Sequence, residues 1–416
     1  MSSRKWLPLL TGCLCVPAFF EASAQESVRP SLAGDRTAAL QLPSIDNSYY
    51  NLKFGPVLVS FSSSLQLEFN DNITLTEHGR ESDLIVTPSI DASARWQVTE
   101  LNILSLDLGF GYSKYLDHSQ FDTDNLLIAP NSNITFNVYV GDFRFTFFDQ
   151  FSIQQNPVDE ITLARIAKFE RFQNAAGVTV TWDLNAVTLV SGYTNYYFKS
   201  FQSEYYFLDH TEQQFFTSAA VRLNDALTIG VRGTAGITNY DQSFQNDGVL
   251  YSFGPFVEAQ LTPYTSIEAE GGYQGGSFDT GGLNGDNSSL SSFYGRLLLR
   301  HRLNRYWTDG LSIGREGILG FTTNTTELTY VRYFADWRLG SRTSLELAAF
   351  YEHGRDSAGV FQSERVDRVG FSASISYTVS NRTLISLGYQ FLDRFSDLAD
   401  RSYRQNELLL TVSHAF

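Results

Sequence analysis

A nucleophile with a base, or a cluster of metal ligands, would be the first chemistry to look for in this 416-residue chain. Neither is spelled out. The six histidines (His78, His118, His210, His301, His353 and His414) are scattered, with no His-x-x-x-His pair. Both cysteines, Cys13 and Cys15, stand close to the start. The glycine run Gly271-Gly272-Tyr273-Gln274-Gly275-Gly276 ends a strand-like segment instead of opening a helix, so it fails the context test for phosphate binding. Asp279 to Asn287 reads either as a calcium-holding loop or as a disordered loop tip. What remains is a set of charges at alternating positions: Glu68, Asp91, Arg95, Asp107, Arg222, Arg232, Glu258, Glu268, Glu270, Arg296, Arg300, Arg332, Arg338 and Arg368, with Glu352 and Glu407. Glu268 and Glu270 fall beside Arg296 and Arg300 on neighbouring segments, and Arg332 and Arg338 come two segments later. Arginines facing carboxylates either set up a transverse field that orients polar solutes or pair with one another as structural filling.

Alternation at period two belongs to a strand with one polar and one apolar face. Residues 84–98 show it best, with Val86, Pro88, Ile90, Ala92, Ala94, Trp96 and Val98 against Thr87, Ser89, Asp91, Ser93, Arg95 and Gln97. These runs are longer than the five or six residues usual in soluble sheets and match the roughly 9 to 11 needed to cross a bilayer at a tilt. Tight turns, several reading Leu-Asn-x or Leu-Thr-x, recur about every 40 residues, with longer polar connections between them. A β-propeller has a similar period but needs four short strands per repeat. Two long strands per repeat, short turns on one side and long loops on the other predict a closed antiparallel transmembrane β-barrel of about 18 strands over residues 55–416, with 16 to 20 open. In this reading 102–115 and 128–140 are unbroken strands, 305–315 alternates poorly, and Gly275, His353 and Asp393 begin long loops. Pro157 to Lys168 is a further polar connection. The alternating charges would then line the lumen, and Trp96, Tyr112, Tyr139, Trp182, Tyr193, Tyr251, Tyr306, Trp307, Trp337, Tyr351, Tyr377 and Tyr389 would mark the membrane interfaces.

Arg4 and Lys5, the apolar run Trp6 to Phe20 and then Ala22-Ser23-Ala24 read as a cleaved signal peptide over residues 1–24. Leu10-Thr11-Gly12-Cys13 offers a lipoprotein box as the alternative. Either way the chain is exported, and after cleavage at residue 24 it carries no thiol. Residues 25–54 read as a periplasmic N-terminal tail, mostly unstructured. A net charge of −15 argues against a nucleic-acid partner.

Leu67-Glu68-Phe69-Asn70-Asp71-Asn72-Ile73, Thr87-Pro88-Ser89-Ile90, the repeated Leu-Asn/Thr-x turns and the terminal Phe416 together resemble the outer-membrane β-barrel porins of Gram-negative bacteria, including those often encoded beside exopolysaccharide export systems. Leu408, Leu410, Val412, His414 and Phe416 share one face, which resembles the C-terminal signal read by the barrel insertion machinery. The resemblance implies an outer-membrane location in contact with lipid and passage of a hydrophilic solute, of the saccharide or polysaccharide class, through a charged lumen. It carries over no catalytic residue and no cofactor. The rival expectations are a structural or assembly barrel that conducts nothing, and an outer-membrane enzyme with Ser, His and an acid on its wall.

Overall fold

A sheet with one largely apolar face must bury that face against another layer or leave it in lipid, and this chain takes the second course. The computed structural model describes residues 50–157, 161–358 and 363–416. Residues 1–49, where the sequence leads one to expect a signal peptide and most of the tail, lie outside the described residues.

The strands are β1 (Leu52–Phe54), β2 (Val57–Asn70), β3 (Asp83–Gln97), β4 (Ile103–Gly111), β5 (Lys114–Tyr115), β6 (Leu127–Ile128), β7 (Asn133–Val140), β8 (Phe143–Gln154), β9 (Arg171–Asp183), β10 (Val187–Ser200) and β11 (His210–Asn224). They continue with β12 (Leu227–Tyr240), β13 (Gly248–Thr262), β14 (Thr265–Phe278), β15 (Leu290–Arg302), β16 (Trp307–Leu319), β17 (Thr325–Arg338), β18 (Thr343–Asp356), β19 (Arg365–Ser380), β20 (Thr383–Ser396) and β21 (Tyr403–Ala415). Leaving aside the short β1, β5 and β6, 18 long strands form one antiparallel wall, each paired with its sequence neighbours. The wall closes where β2 meets β21, in register from Ser62↔Ala415 to Asn70↔Glu407. Closure leaves no sheet edge unpaired, which lipid demands because it offers no hydrogen bonds. At the seam the Phe416 amide donates to the Phe61 carbonyl, 3.1 Å.

The outward row is apolar and exposed on every side of the wall, as at Leu65, Phe69, Ile90, Phe147, Val231, Phe253, Val369, Leu387 and Leu410. In water so large an apolar surface would drive aggregation. Trp96, Trp182, Trp307, Trp337 and Tyr377 stand outward near the short turns, and Tyr251, Tyr351 and Tyr389 nearer the loops. Tyr139 departs from the expected belt. Its register against Arg144 puts it on the inward row with Asn133, Thr135 and Asn137. The tight turns need left-handed backbone at three points, Gly55 and Gly141 with φ +58° each and Asn185 with φ +72°.

Three other expectations are corrected. The third and fourth strands are interrupted, the third between Gly111 and Lys114 and the fourth between Ile128 and Asn133. Pro130 has no N–H for the ladder. There the Ala129 amide donates to the Gly109 carbonyl (2.9 Å) and the Gly109 amide to Ser132 Oγ (3.0 Å). Next, β14, β18 and β20 run on to Phe278, Asp356 and Ser396, because the hairpins continue past the aromatic belt into water, where polar residues keep the same pairing. Finally, β16 extends to Leu319. Its alternation is obscured by Gly310 and Gly314, where a Cβ would sit 2.3 Å from the Phe334 ring and 2.4 Å from the Tyr330 ring. Toward the loops β15 and β16 part after Gly295↔Arg315, and the Gln274 side chain fills the gap. Its Nε2 donates to the Gly317 carbonyl and its Oε1 accepts the Gly317 amide, both at 2.7 Å.

Candidate functional site

The connection between β8 and β9 enters the barrel. Sequence reading made it a polar surface link, yet Ile161, Leu163, Ala164 and Phe169 in it are all buried. Leu163 and Phe169 pack on Ala175, Tyr196, Phe198 and Leu208. Ile161 joins Leu328, Tyr330 and Val366 from β17 and β19, and Ala164 joins Leu75, Leu392 and Tyr403. The segment therefore leaves one wall and touches strands far around the barrel. Hydrogen bonds hold it there: Arg394 Nε to the Ile161 carbonyl (3.1 Å), the Arg165 amide to the Leu75 carbonyl (2.9 Å) and the Phe169 amide to the Gln155 carbonyl (2.8 Å). The apolar run Ile161-Thr-Leu-Ala was the available signal, since a loop lying in water has no use for it.

Arg232, Glu258, Glu268, Glu270, Arg296 and Arg300 share the inward row of β12 to β15. Arg232 Nη1 lies 2.5 Å from Glu270 and stacks on Phe256 at 5.0 Å, Arg296 Nε reaches Glu270 at 3.4 Å, and Arg300 reaches Glu268 at 3.4 Å. Arg332 faces inward opposite Ser312. Arg368 and Glu352 pair with neither side chain exposed to solvent. Sequence reasoning missed Glu364, which sits between Arg394 (2.7 Å) and Arg401 (3.0 Å). Arg222 and Arg338 lie at the short-turn rim, Arg222 donating to the Asn185 carbonyl at 2.6 Å and Arg338 standing opposite Ser344. Arg95 stands opposite Leu58 and Ser105, near the same rim.

The opposite side of the lumen is built differently. Asp91 stands across from Ser62 and Gly109, and Asp107 across from Ser93 and Asn133. Glu68 accepts from Gln66 Nε2 (3.3 Å) and Asn70 Nδ2 (3.4 Å), and Asn70 Nδ2 also donates to Glu407 (3.0 Å). A cavity lies between this wall and the base of the inserted segment, lined by polar Gln66, Glu68, Asn70, Asp91, Gln155 and Glu407 and by apolar Ile73, Leu75, Ile85 and Ile128 among others.

The structure forms three histidine–aspartate pairs that the sequence does not show: His118 with Asp83 (3.0 Å), His301 with Asp309 (3.3 Å) and His353 with Asp367 (2.9 Å). Asp367 also accepts the Tyr351 hydroxyl (2.6 Å). His78 lies with Glu77 and Asp400, their ligand atoms within 4.8 Å of one another on an accessible rim. Asp279 to Asn287 is neither a calcium loop nor a loose tip. Asn284 and Asp286 are fully buried, and Asp286 accepts the amides of Ser288 and Asn324 (2.8 Å each) and the Ser357 hydroxyl (2.6 Å). Donor hydrogens occupy the directions a cation would need. Asn246 Nδ2 adds a bond to the Asp286 carbonyl (2.7 Å), tying four loops together.

No protein-family model matches the chain, and no curated protein matches it in sequence. Solved structures do match its fold. Pseudomonas aeruginosa OccK2 (OpdF) in complex with glucuronate is 12% identical, with 86% of this chain and 98% of that one covered at a TM-score of 0.50. A BenF-like porin from Pseudomonas fluorescens Pf-5 is 12% identical over 87% and 100%, TM-score 0.49. Pseudomonas aeruginosa OccK5 (OpdH) is 11% identical over 86% and 98%, TM-score 0.49. The chain thus has the fold of an 18-strand outer-membrane porin barrel, and its closed wall with an apolar exterior places it in the cell outer membrane.

Proposed function

We propose that this barrel passes small hydrophilic solutes across the outer membrane, through a lumen narrowed by the segment between β8 and β9. The observation that carries the proposal is the cavity beside that segment, lined by carboxylates and amides as well as by apolar side chains, which a space-filling plug would have closed. Because the inserted segment reaches β17 and β19, a monomer-sized solute such as a simple saccharide is favoured over a polysaccharide chain. The glucuronate held by the OccK2 structure makes a sugar acid a sensible first probe. In this proposal residues 1–24 are the cleaved signal peptide and residues 25–54 its periplasmic tail. The inward charges, Arg296 and Arg300 among them, act on the solute in transit.

Planar-bilayer conductance of the purified barrel tests the proposal, with discrete open steps expected. The second reading, a barrel that serves as scaffold, draws support from the fully buried Arg368–Glu352 pair and the Arg394–Glu364–Arg401 group, which fill lumenal space. A barrel that inserts and stays silent at every voltage selects it.

A further inference from the structure

The two sides of the lumen differ in how their charges are met. On β12 to β20, arginines and carboxylates meet each other: Arg232 and Arg296 share Glu270, Arg300 has Glu268, Arg368 has Glu352, and Arg394 has Glu364. The cavity beside the inserted segment holds three carboxylates, Glu68, Asp91 and Glu407, and none of the described residues that line it is lysine or arginine. Its other polar groups are amides and hydroxyls, which orient a solute without supplying charge. Apolar side chains, Ile73, Ile85 and Ile128 among them, complete the lining.

The carboxylates are also spaced along the path. Ser62 faces Asp91, and Glu68 is six residues further along the same strand, so the two acids stand about 20 Å apart along the wall at some 3.3 Å per residue. Glu407 faces Asn70 at the upper end, and Asp107 continues the series beyond Asp91 toward the short turns. Acidic side chains along one wall, in a low-dielectric cleft, concentrate cations and repel anions.

We infer that this cavity is a binding station for organic cations, an ammonium group seated at Glu68 and Glu407, which share the Asn70 amide, with a hydroxylated or apolar body against the amides and isoleucines and Asp91 as the next acid along the path. The inference rests on the solute-passage reading and assigns it a substrate class, one opposite in charge to glucuronate.

The test uses the full-length barrel in liposomes and planar bilayers, with three sugars of similar size as probes: glucosamine hydrochloride, glucose and sodium glucuronate. Glucosamine is expected to enter fastest and glucuronate slowest, with a reversal potential under a KCl gradient that reports preference for potassium over chloride. Glu68→Gln, Asp91→Asn and Glu407→Gln in one chain keep the shapes and remove the charge. That variant, shown folded by heat-modifiable migration, should lose most of the glucosamine advantage and show a severalfold fall in the potassium-to-chloride permeability ratio. An open channel that prefers glucuronate, or whose selectivity the triple variant leaves unchanged, overturns the inference alone. A folded barrel that passes neither ions nor any of the sugars overturns solute passage, and this inference with it.

Discussion

Arg368 and Glu352 are directly opposed on β19 and β18, with both side chains at 0% exposure. Replacing Arg368 by Met keeps a long side chain but leaves the buried Glu352 carboxylate without that guanidinium. Breaking one partner of such a pair costs about 3 to 5 kcal/mol, because the remaining charge has lost the interaction that offset its desolvation. Replacing both, Arg368→Met with Glu352→Gln, removes the stranded charge and should recover most of that loss. The measurement is equilibrium unfolding in urea from liposomes for wild type, both single variants and the double, arranged as a cycle. A coupling energy of at least about 2 kcal/mol is expected, within the range seen for contacting residues. Because the pair is neutral as a unit, the double variant should leave ion selectivity unchanged. If Arg368→Met costs under about 1 kcal/mol, the value of an exposed pair, or if the double variant is no better than the single, the pair does not behave as buried and the packing described around it is wrong.

Leu297→Arg should cost roughly 2 to 4 kcal/mol in liposome folding, since Leu297 faces lipid between Ala269 and Ile313. Arg296→Gln should be nearly silent there, since Glu270 keeps Arg232 at 2.5 Å; the opposite ranking would reverse inside and outside. Leu163→Ala, at a position 2% exposed under the inserted segment, should lower stability by about 2 to 5 kcal/mol or raise single-channel conductance by loosening the segment. Neither effect would mean the segment does not narrow the path. Asp122 lies in the connection after β5. Burial alone would raise its pKa, but hydrogen bonds from Lys114 and the Tyr115 amide outweigh that and hold it below the ordinary carboxylate value. Its contribution is therefore present above the ordinary value and lost as pH falls through the lowered one. Amide exchange at Tyr115, corrected for intrinsic rate, should speed up only at that acid end, and Asp122→Asn should show the fast rate at neutral pH.

Faces and strand number were legible in the sequence because period two is a local property. Ile90 and Asp91 declare opposite sides of the wall whatever lies across the barrel. The breaks near Ser113 and Pro130 were partly legible, Pro130 carrying its own warning. The inserted segment was not, because its meaning depends on contacts such as Ile161 with Arg394, 233 residues apart. The same holds for charge partners. Sequence set Glu268 and Glu270 beside Arg296 and Arg300, but only the closed wall shows that Arg232 also claims Glu270 and that Glu364 gathers two arginines. The three cavity acids come from β2, β3 and β21, and the first and last strands become neighbours only on closure.

The buried amides of Asn246, Asn284 and Asn324 also bear on how this protein can be labelled on living cells. Asp279 to Asn287 reads as an ideal place for an epitope tag, being rich in glycine, asparagine and aspartate. Yet Asn246 Nδ2 donates to Asn284 (3.1 Å) and Asn324 (2.9 Å), and Gln245 Nε2 holds the Phe321 carbonyl (2.6 Å). A peptide spliced between Asn284 and Ser288 would pull a knot of four connections apart at once, and an antibody against that stretch would find Asn284 and Asp286 facing inward. Reporter insertions belong instead near Leu398 to Asp400, where the chain turns at an accessible rim.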